Sequence, residues 1–166
     1  MAWAVARERL GAELIGARDQ VAERWRAAVQ ENGLVAHALG AVATDLVLNA
    51  GAALADGAPP ETAWGRCGGL LRLDPRDNGR ALSLELTLLW RAMGQVLTRV
   101  ACSDSEARAA RDALALQLDA AQRGATALVR AVLFDEGQPA DGLRYGGVVV
   151  LSYPSAEGVG GAEAAA

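Results

Sequence analysis

The sequence "RALSLELTLLWRAMGQVL" (residues 80–97) contains two hydrophobic periods. Leucine alternates with polar residues in its first half, which is the two-residue period of a half-buried strand. Drawn as a helix, the segment and the three residues after it have one continuous apolar stripe: Leu82, Leu86, Leu89, Met93, Val96, Leu97 and Val100. Leucine favours helices, and Thr87 is the only β-branched residue between positions 80 and 95. We therefore predict that this segment is a helix.

This helix has a second apolar patch beside the first stripe. Leu84 and Leu88 form the patch, with Ala81 and Ala92 on either side. A helix that is apolar on two sides lies in the middle of a bundle or at a subunit interface. We therefore expect a homodimer with Leu84 and Leu88 at its interface.

Hydrophobic spacing predicts four further helices, of which the third is short: residues 3–30, 34–55, 60–72 and 103–134. Asp74 and Pro75 are a suitable cap and first-turn residue for the helix that contains residues 80–97. "SDSE" (residues 103–106) is the pattern of a capping box and opens the last helix. The apolar residues of that helix are spaced as in a coiled-coil seam. The helices predict an all-α bundle of about five helices over residues 1–136.

The last 30 residues differ in character from the bundle. "RYGGVVVLSY" (residues 144–153) is rich in β-branched residues and predicts one strand, and "AEGVGGAEAAA" predicts a flexible end. We therefore expect residues 137–166 to form an extended tail with a small C-terminal β segment.

Composition argues against several classes of function. The 16 basic and 20 acidic residues give a net charge of −4, so we expect no nucleic-acid partner. No stretch reaches the roughly 20 apolar residues of a membrane span, and the first residues have no signal-peptide core. Cys67 and Cys102 form no CxxC pattern and have no nearby histidine, which argues against zinc and a disulfide framework. We expect a soluble cytoplasmic protein without membrane contact.

No motif in the sequence indicates a reaction. The sole histidine, His37, has no nucleophile or carboxylate partner in a catalytic pattern. A haem-binding globin would place its histidine on a long helix among aromatic residues, and this chain has one Phe. We interpret His37 as a structural or solvated residue. The expectation is a protein that is not an enzyme and has no catalytic, cofactor or metal site.

Two charged residues lie beside apolar stripes. Glu85 is next to the stripe of its helix, and Arg18 falls within the apolar arc of the first helix. Either side chain could extend to solvent at the edge of the stripe, or belong to a partly buried ion pair or a ligand pocket. Tryptophans with a buried ring need a partner for the indole N–H. The candidate pocket or interface therefore comprises Arg18, Trp25, Leu84, Glu85, Leu88, Trp90 and Arg91.

Three segments resemble a bacterial regulatory module. "VAERWRAAV" (residues 21–29) resembles the first helix of the N-terminal domain of RsbT co-antagonist (RsbRD-type) proteins. "ELTLLWRAM" (residues 85–93) resembles the signature of that domain's central helix, in which a glutamate precedes a Leu-Leu-x-Arg run. "LQLDAAQRGATALV" (residues 116–129) is similar to its last helix.

The resemblance implies a helical input domain, often dimeric, in stress-response or two-component signalling. Its expected partners are an anti-sigma-type kinase, a sulfate-transporter/anti-sigma-antagonist (STAS) protein or a histidine kinase. The alternative is a helical sensor that binds a small ligand between helices, similar to a globin-like bundle without haem.

Overall fold

The computed structural model describes residues 2–34, 38–65, 70–73, 80–133, 142–145 and 148–152. These residues are predominantly helical, which confirms the helical class. They form six helices: α1 (Ala2–Gly16), α2 (Arg18–Glu31), α3 (Ala43–Asp56), α4 (Glu61–Gly65), α5 (Arg80–Val100) and α6 (Asp104–Leu133). Residues 80–97 lie within α5, so the helical interpretation of the mixed pattern is correct.

Three short segments with strand backbone complete the described part: β1 (Leu70–Leu73), β2 (Gly142–Tyr145) and β3 (Val148–Ser152). They pair antiparallel in the order β1-β3-β2. β3 overlaps the β segment predicted at about 144–153, but its role as an appendage to the bundle and the division of the chain into residues 1–136 and 137–166 stay predictions.

The helix predicted over residues 3–30 is two helices. The interruption is at Ala17, although hydrogen bonds from Ala17 N to Glu13 O (3.0 Å) and from Val21 N to Ala17 O (2.9 Å) connect the two parts. α1 contacts mainly α3, whereas α2 contacts mainly α5. The prediction of a single helix was therefore wrong.

The second and third predicted helices are also shorter than expected. Residues 38–42 form turns and α3 begins only at Ala43; within the turn, the amides of Ala38 and Leu39 donate to the Glu85 side chain. α4 ends at Gly65, and residues 70–73 have extended backbone rather than the helix predicted to residue 72. The cap predicted at Asp74 and Pro75 lies outside the described residues.

α5 is the central helix of the bundle. It contacts α1, α2 and α6. Its apolar stripe is buried in a core to which the other five described helices also contribute; the most deeply buried apolar residues of α5 are Leu82, Leu86, Leu89, Met93 and Leu97. The position of α5 explains why its sequence is apolar on more than one side.

α6 begins with the Ser103 half of the predicted capping box, while the Glu106 carboxylate bonds one residue further back than the motif requires. The Glu106 amide donates to Ser103 Oγ at 3.2 Å, and the Glu106 carboxylate accepts the Cys102 amide at 2.8 Å. The same carboxylate pairs with Arg9 at 2.7 Å, and Arg9 also donates to the Val100 carbonyl at 2.9 Å. These bonds attach the α5–α6 turn to α1.

α1 and α3 cross at a pair of buried glycines. A Cβ atom on Gly11 would lie against the Gly51 carbonyl and 2.7 Å from Ala55 Cβ. A Cβ atom on Gly51 would lie 2.7 Å from Ile15 Cγ1. The two backbones are therefore too close for any side chain at these positions.

We predict that Gly11→Ala destabilises the fold by about 1–3 kcal/mol, because α1 and α3 must separate to admit the methyl group. Gly16→Ala is the matched control, since nothing lies within 4 Å of a Cβ atom there. Gly16→Ala should leave stability unchanged or raise it by up to about 1 kcal/mol. Urea unfolding followed by circular dichroism measures both changes, and equal stability of the two variants would contradict the close crossing.

Candidate functional site

The Glu85 side chain is fully buried and binds two backbone amides. Its Oε1 accepts the N–H of Ala38 and its Oε2 accepts the N–H of Leu39, both at 2.8 Å. An ionised carboxylate, which only accepts hydrogen bonds, suits this pair of donors. The carboxylate thus holds the turn before α3 against the middle helix of the bundle.

Trp25 contacts the same residue from α2. Its indole Nε1 donates to the Glu85 backbone carbonyl at 3.1 Å, and its ring is fully buried. We call Trp25, Ala38, Leu39 and Glu85 the Glu85 network. The network joins α2, the turn of residues 38–42 and α5 at one buried point.

The structure corrects one interpretation of Glu85 and leaves Arg18 at the edge of the core. Glu85 does not extend to solvent, because its carboxylate is turned inward to the amides of Ala38 and Leu39. Its position beside the apolar stripe was the signal that marked it. Arg18 is half-buried near the α1–α2 bend, where its Nη1 donates to the Ile15 carbonyl at 3.3 Å.

Leu84 and Leu88 do not form one exposed patch. Leu88 is 7% exposed and belongs to the core of its own chain, whereas Leu84 is 36% exposed. The second apolar side of α5 is therefore partly covered within the chain. An interface that uses both leucines together would require α5 to move.

Trp90 and Arg91 line a groove between α5 and α6. The groove has a volume of about 830 Å³ and is open to solvent. Its α5 side runs from Thr87 to Arg99 and its α6 side from Arg111 to Leu118; the lining residues are Thr87, Trp90, Arg91, Gly94, Gln95, Thr98, Arg99, Arg111, Leu114, Ala115 and Leu118. We call this feature the α5–α6 groove. It is separate from the Glu85 network, because no residue of the network lines it.

The α5–α6 groove has an apolar floor and a cationic rim. Trp90 and Leu114 are buried, whereas Arg91, Arg99 and Arg111 are exposed. In the part of the chain that the structure describes, none of the three arginines pairs with a carboxylate. The described lining contains no acidic residue. A negatively charged group is therefore the favoured occupant.

Sequence reasoning selected Trp90 and Arg91 but missed the other groove residues. Thr87, Arg91, Gln95 and Arg99 recur every four residues, which places them on one side of a helix. This polar row was the available signal. It did not identify a groove, because the opposite wall comes from α6.

The remaining candidates for chemistry are few. Among the described residues no group of three or more His, Cys, Asp or Glu side chains is placed to hold a metal ion. Cys102 is a free, exposed cysteine, and His37 and Cys67 lie outside the described residues. Within the described ranges, no helix combines the length and apolar character needed to cross a bilayer.

No protein-family model, curated protein or solved structure matches this chain.

We predict that Glu85→Gln lowers the free energy of unfolding by about 1–3 kcal/mol. The amide NH₂ group would face the N–H of Ala38 or Leu39, so that one hydrogen bond to the carboxylate is lost and a buried donor has no acceptor. Glu23→Gln is the matched control, because Glu23 is exposed on α2, and it should change stability by less than about 0.5 kcal/mol. Thermal unfolding of the two variants measures the difference, and a Glu85→Gln protein as stable as the control would refute the role of the network.

Proposed function

We propose that this chain is a non-enzymatic regulatory input domain that acts through protein–protein contacts, as the RsbRD-type resemblance implies. One observation carries the proposal. The two segments that resemble the family's first and central helices, residues 21–29 and 85–93, meet through the hydrogen bond from Trp25 to Glu85. Trp25 and Glu85, one residue from each segment, thus meet at a buried point.

The Glu85 network supplies a means to transmit a change in packing. It fixes α2 and residues 38–39 to α5 through three hydrogen bonds. A displacement of α5 relative to its neighbours would break hydrogen bonds between buried groups, which costs free energy. Such an element has few stable arrangements, as a two-state relay requires.

The proposed partners are an anti-sigma-type kinase, a STAS protein or a histidine kinase in the cytoplasm. The proposed architecture is the helical bundle with the C-terminal β segment, at about 144–153, as an appendage. We retain the homodimer. Since Leu88 is buried, we place the interface at the surface around Trp3 and Leu116 instead of at Leu84 and Leu88. Trp3 (38% exposed) and Leu116 (59% exposed) line one surface depression of about 260 Å³ bordered by α1, the C-terminal end of α3 and α6.

We predict that Leu116→Glu converts the dimer into a monomer. A leucine that becomes fully buried at an interface stabilises it by about 1.5–3 kcal/mol, and a carboxylate there would lose this gain and resist desolvation. Leu84→Glu is the control, since Leu84 is exposed on α5, and it should remain dimeric. Sedimentation velocity at micromolar concentration distinguishes them, and a monomeric wild type would contradict the dimer.

The second candidate is a sensor that binds a small ligand. The volume of the α5–α6 groove lies in the range of small-molecule sites, and this observation favours the alternative. Glu85 would have no direct contact with a ligand there, because it does not line the groove. A sensor of this kind would show ligand-induced thermal stabilisation that Trp90→Phe removes.

We predict that the tagged wild-type chain and Glu23→Gln capture the same kinase or STAS protein from cells of the source organism after crosslinking. Glu85→Gln, kept below its unfolding temperature, should recover less than a third as much, because the network that sets the position of α5 is altered. Quantitative mass spectrometry measures the recoveries, and circular dichroism verifies that each bait is folded.

The absence of any protein of these classes from the wild-type capture would count against the regulatory proposal. Equal recovery by folded Glu85→Gln would show that the network has no part in it. Turnover of a generic esterase, phosphatase or oxidoreductase substrate that is lost in Glu85→Gln would contradict the non-enzymatic assignment.

A further inference from the structure

We propose that the α5–α6 groove is the docking site for an acidic amphipathic helix of a partner protein. The inference rests on the proposed function in one respect, namely that the chain acts through protein contacts. It adds where the partner binds and which chemistry the groove recognises.

The shape of the groove fits a helix. Its α5 side extends from Thr87 to Arg99, which is about 18 Å along the axis at 1.5 Å per residue. The lining positions on α5 recur at spacings of three and four residues, and those on α6 do the same, so both walls are single faces of helices. An occupant with apolar residues at the same spacing can place them between the two walls, as amphipathic helices do in other grooves. The groove is open to solvent, whereas a typical small-molecule site encloses most of its ligand.

The floor of the groove allows close approach of a bound helix. Gly94 has no side chain, and a Cβ atom there would meet only Leu114 Cδ1 at 3.9 Å, so the floor is low at this position. Trp90 and Leu114, both buried, supply the apolar surface beside it.

Charge selects the acidic class of helix. Arg91, Arg99 and Arg111 contribute three positive charges to the groove in a chain whose net charge is −4. Guanidinium groups bind carboxylates through paired hydrogen bonds, and here no described carboxylate occupies them. Glutamates beside the apolar row of a partner helix would meet this rim, whereas lysines would be repelled.

A display library of helical peptides tests the proposal while the cellular partner is still unidentified. Helical peptides of about 18 residues carry leucines along one side, and the flanking positions are randomised among Glu, Gln, Lys and Ala. Selection on the immobilised wild-type chain should enrich glutamate at the flanking positions. Fluorescence anisotropy of an enriched peptide then gives its Kd for each variant.

Two independent changes locate the binding. The double variant Arg91→Glu, Arg99→Glu should weaken the peptide at least tenfold, and Gly94→Phe should do the same by filling the floor. The charge-matched control Arg26→Glu, Arg130→Glu alters exposed arginines outside the groove and should change Kd less than twofold. Circular dichroism confirms that each variant is helical, and the arginine variant tests the groove even if Gly94→Phe does not fold.

Several results would overturn the proposal. The first is a selection that does not enrich glutamate at the flanking positions. The second is peptide binding that neither the double arginine variant nor Gly94→Phe weakens. The third is a wild-type dimer that dissociates in the Arg91→Glu, Arg99→Glu variant, since the occupant of the groove would then be a second copy of the chain. A small molecule that binds the wild-type chain but not Trp90→Phe, and that does not compete with an enriched helix, would also overturn it. The helix would then bind outside the groove. The selection uses purified protein, so it succeeds or fails independently of which cellular proteins the chain captures.

Discussion

A buried carboxylate that binds two backbone amides is the constraint on which the rest of the bundle depends. The amides of Ala38 and Leu39, in the turn before α3, both donate to the Glu85 side chain. A buried carboxyl group is costly unless hydrogen bonds satisfy it. The positions of α5 and of the turn before α3 are therefore set together.

α5 has the network on one side and the groove on the other. Gly94 follows Glu85 by nine residues, which is about two and a half turns, so the two positions lie on opposite sides of the helix. An occupant of the α5–α6 groove would press on the side of α5 that faces away from the bonds to Ala38 and Leu39. The proposed docking site and the proposed relay thus share one rigid element, which is the physical continuity that coupling between them needs.

Local patterns in the sequence were sufficient for most helices and for one cap. The stripe of α5 and the Ser103–Glu106 box depend on residues within one or two turns of each other, so their signals are local. The interruption at Ala17 and the start of α3 at Ala43 are seen only in the folded chain, where α1 and α2 pack mainly on different helices. No periodicity in residues 3–30 or 34–55 contains that information.

For the candidate site, the sequence by itself determined which residues were unusual: a glutamate beside an apolar stripe, tryptophans at core positions and an arginine on the polar row of α5. Only the tertiary structure decided their roles. Glu85 finds its amide partners 46 and 47 residues away, and Arg91 belongs to a groove because α6 supplies the facing wall. The type and spacing of a residue in the sequence can mark it as a candidate. Its burial and its hydrogen-bond partners depend on how the helices pack against one another.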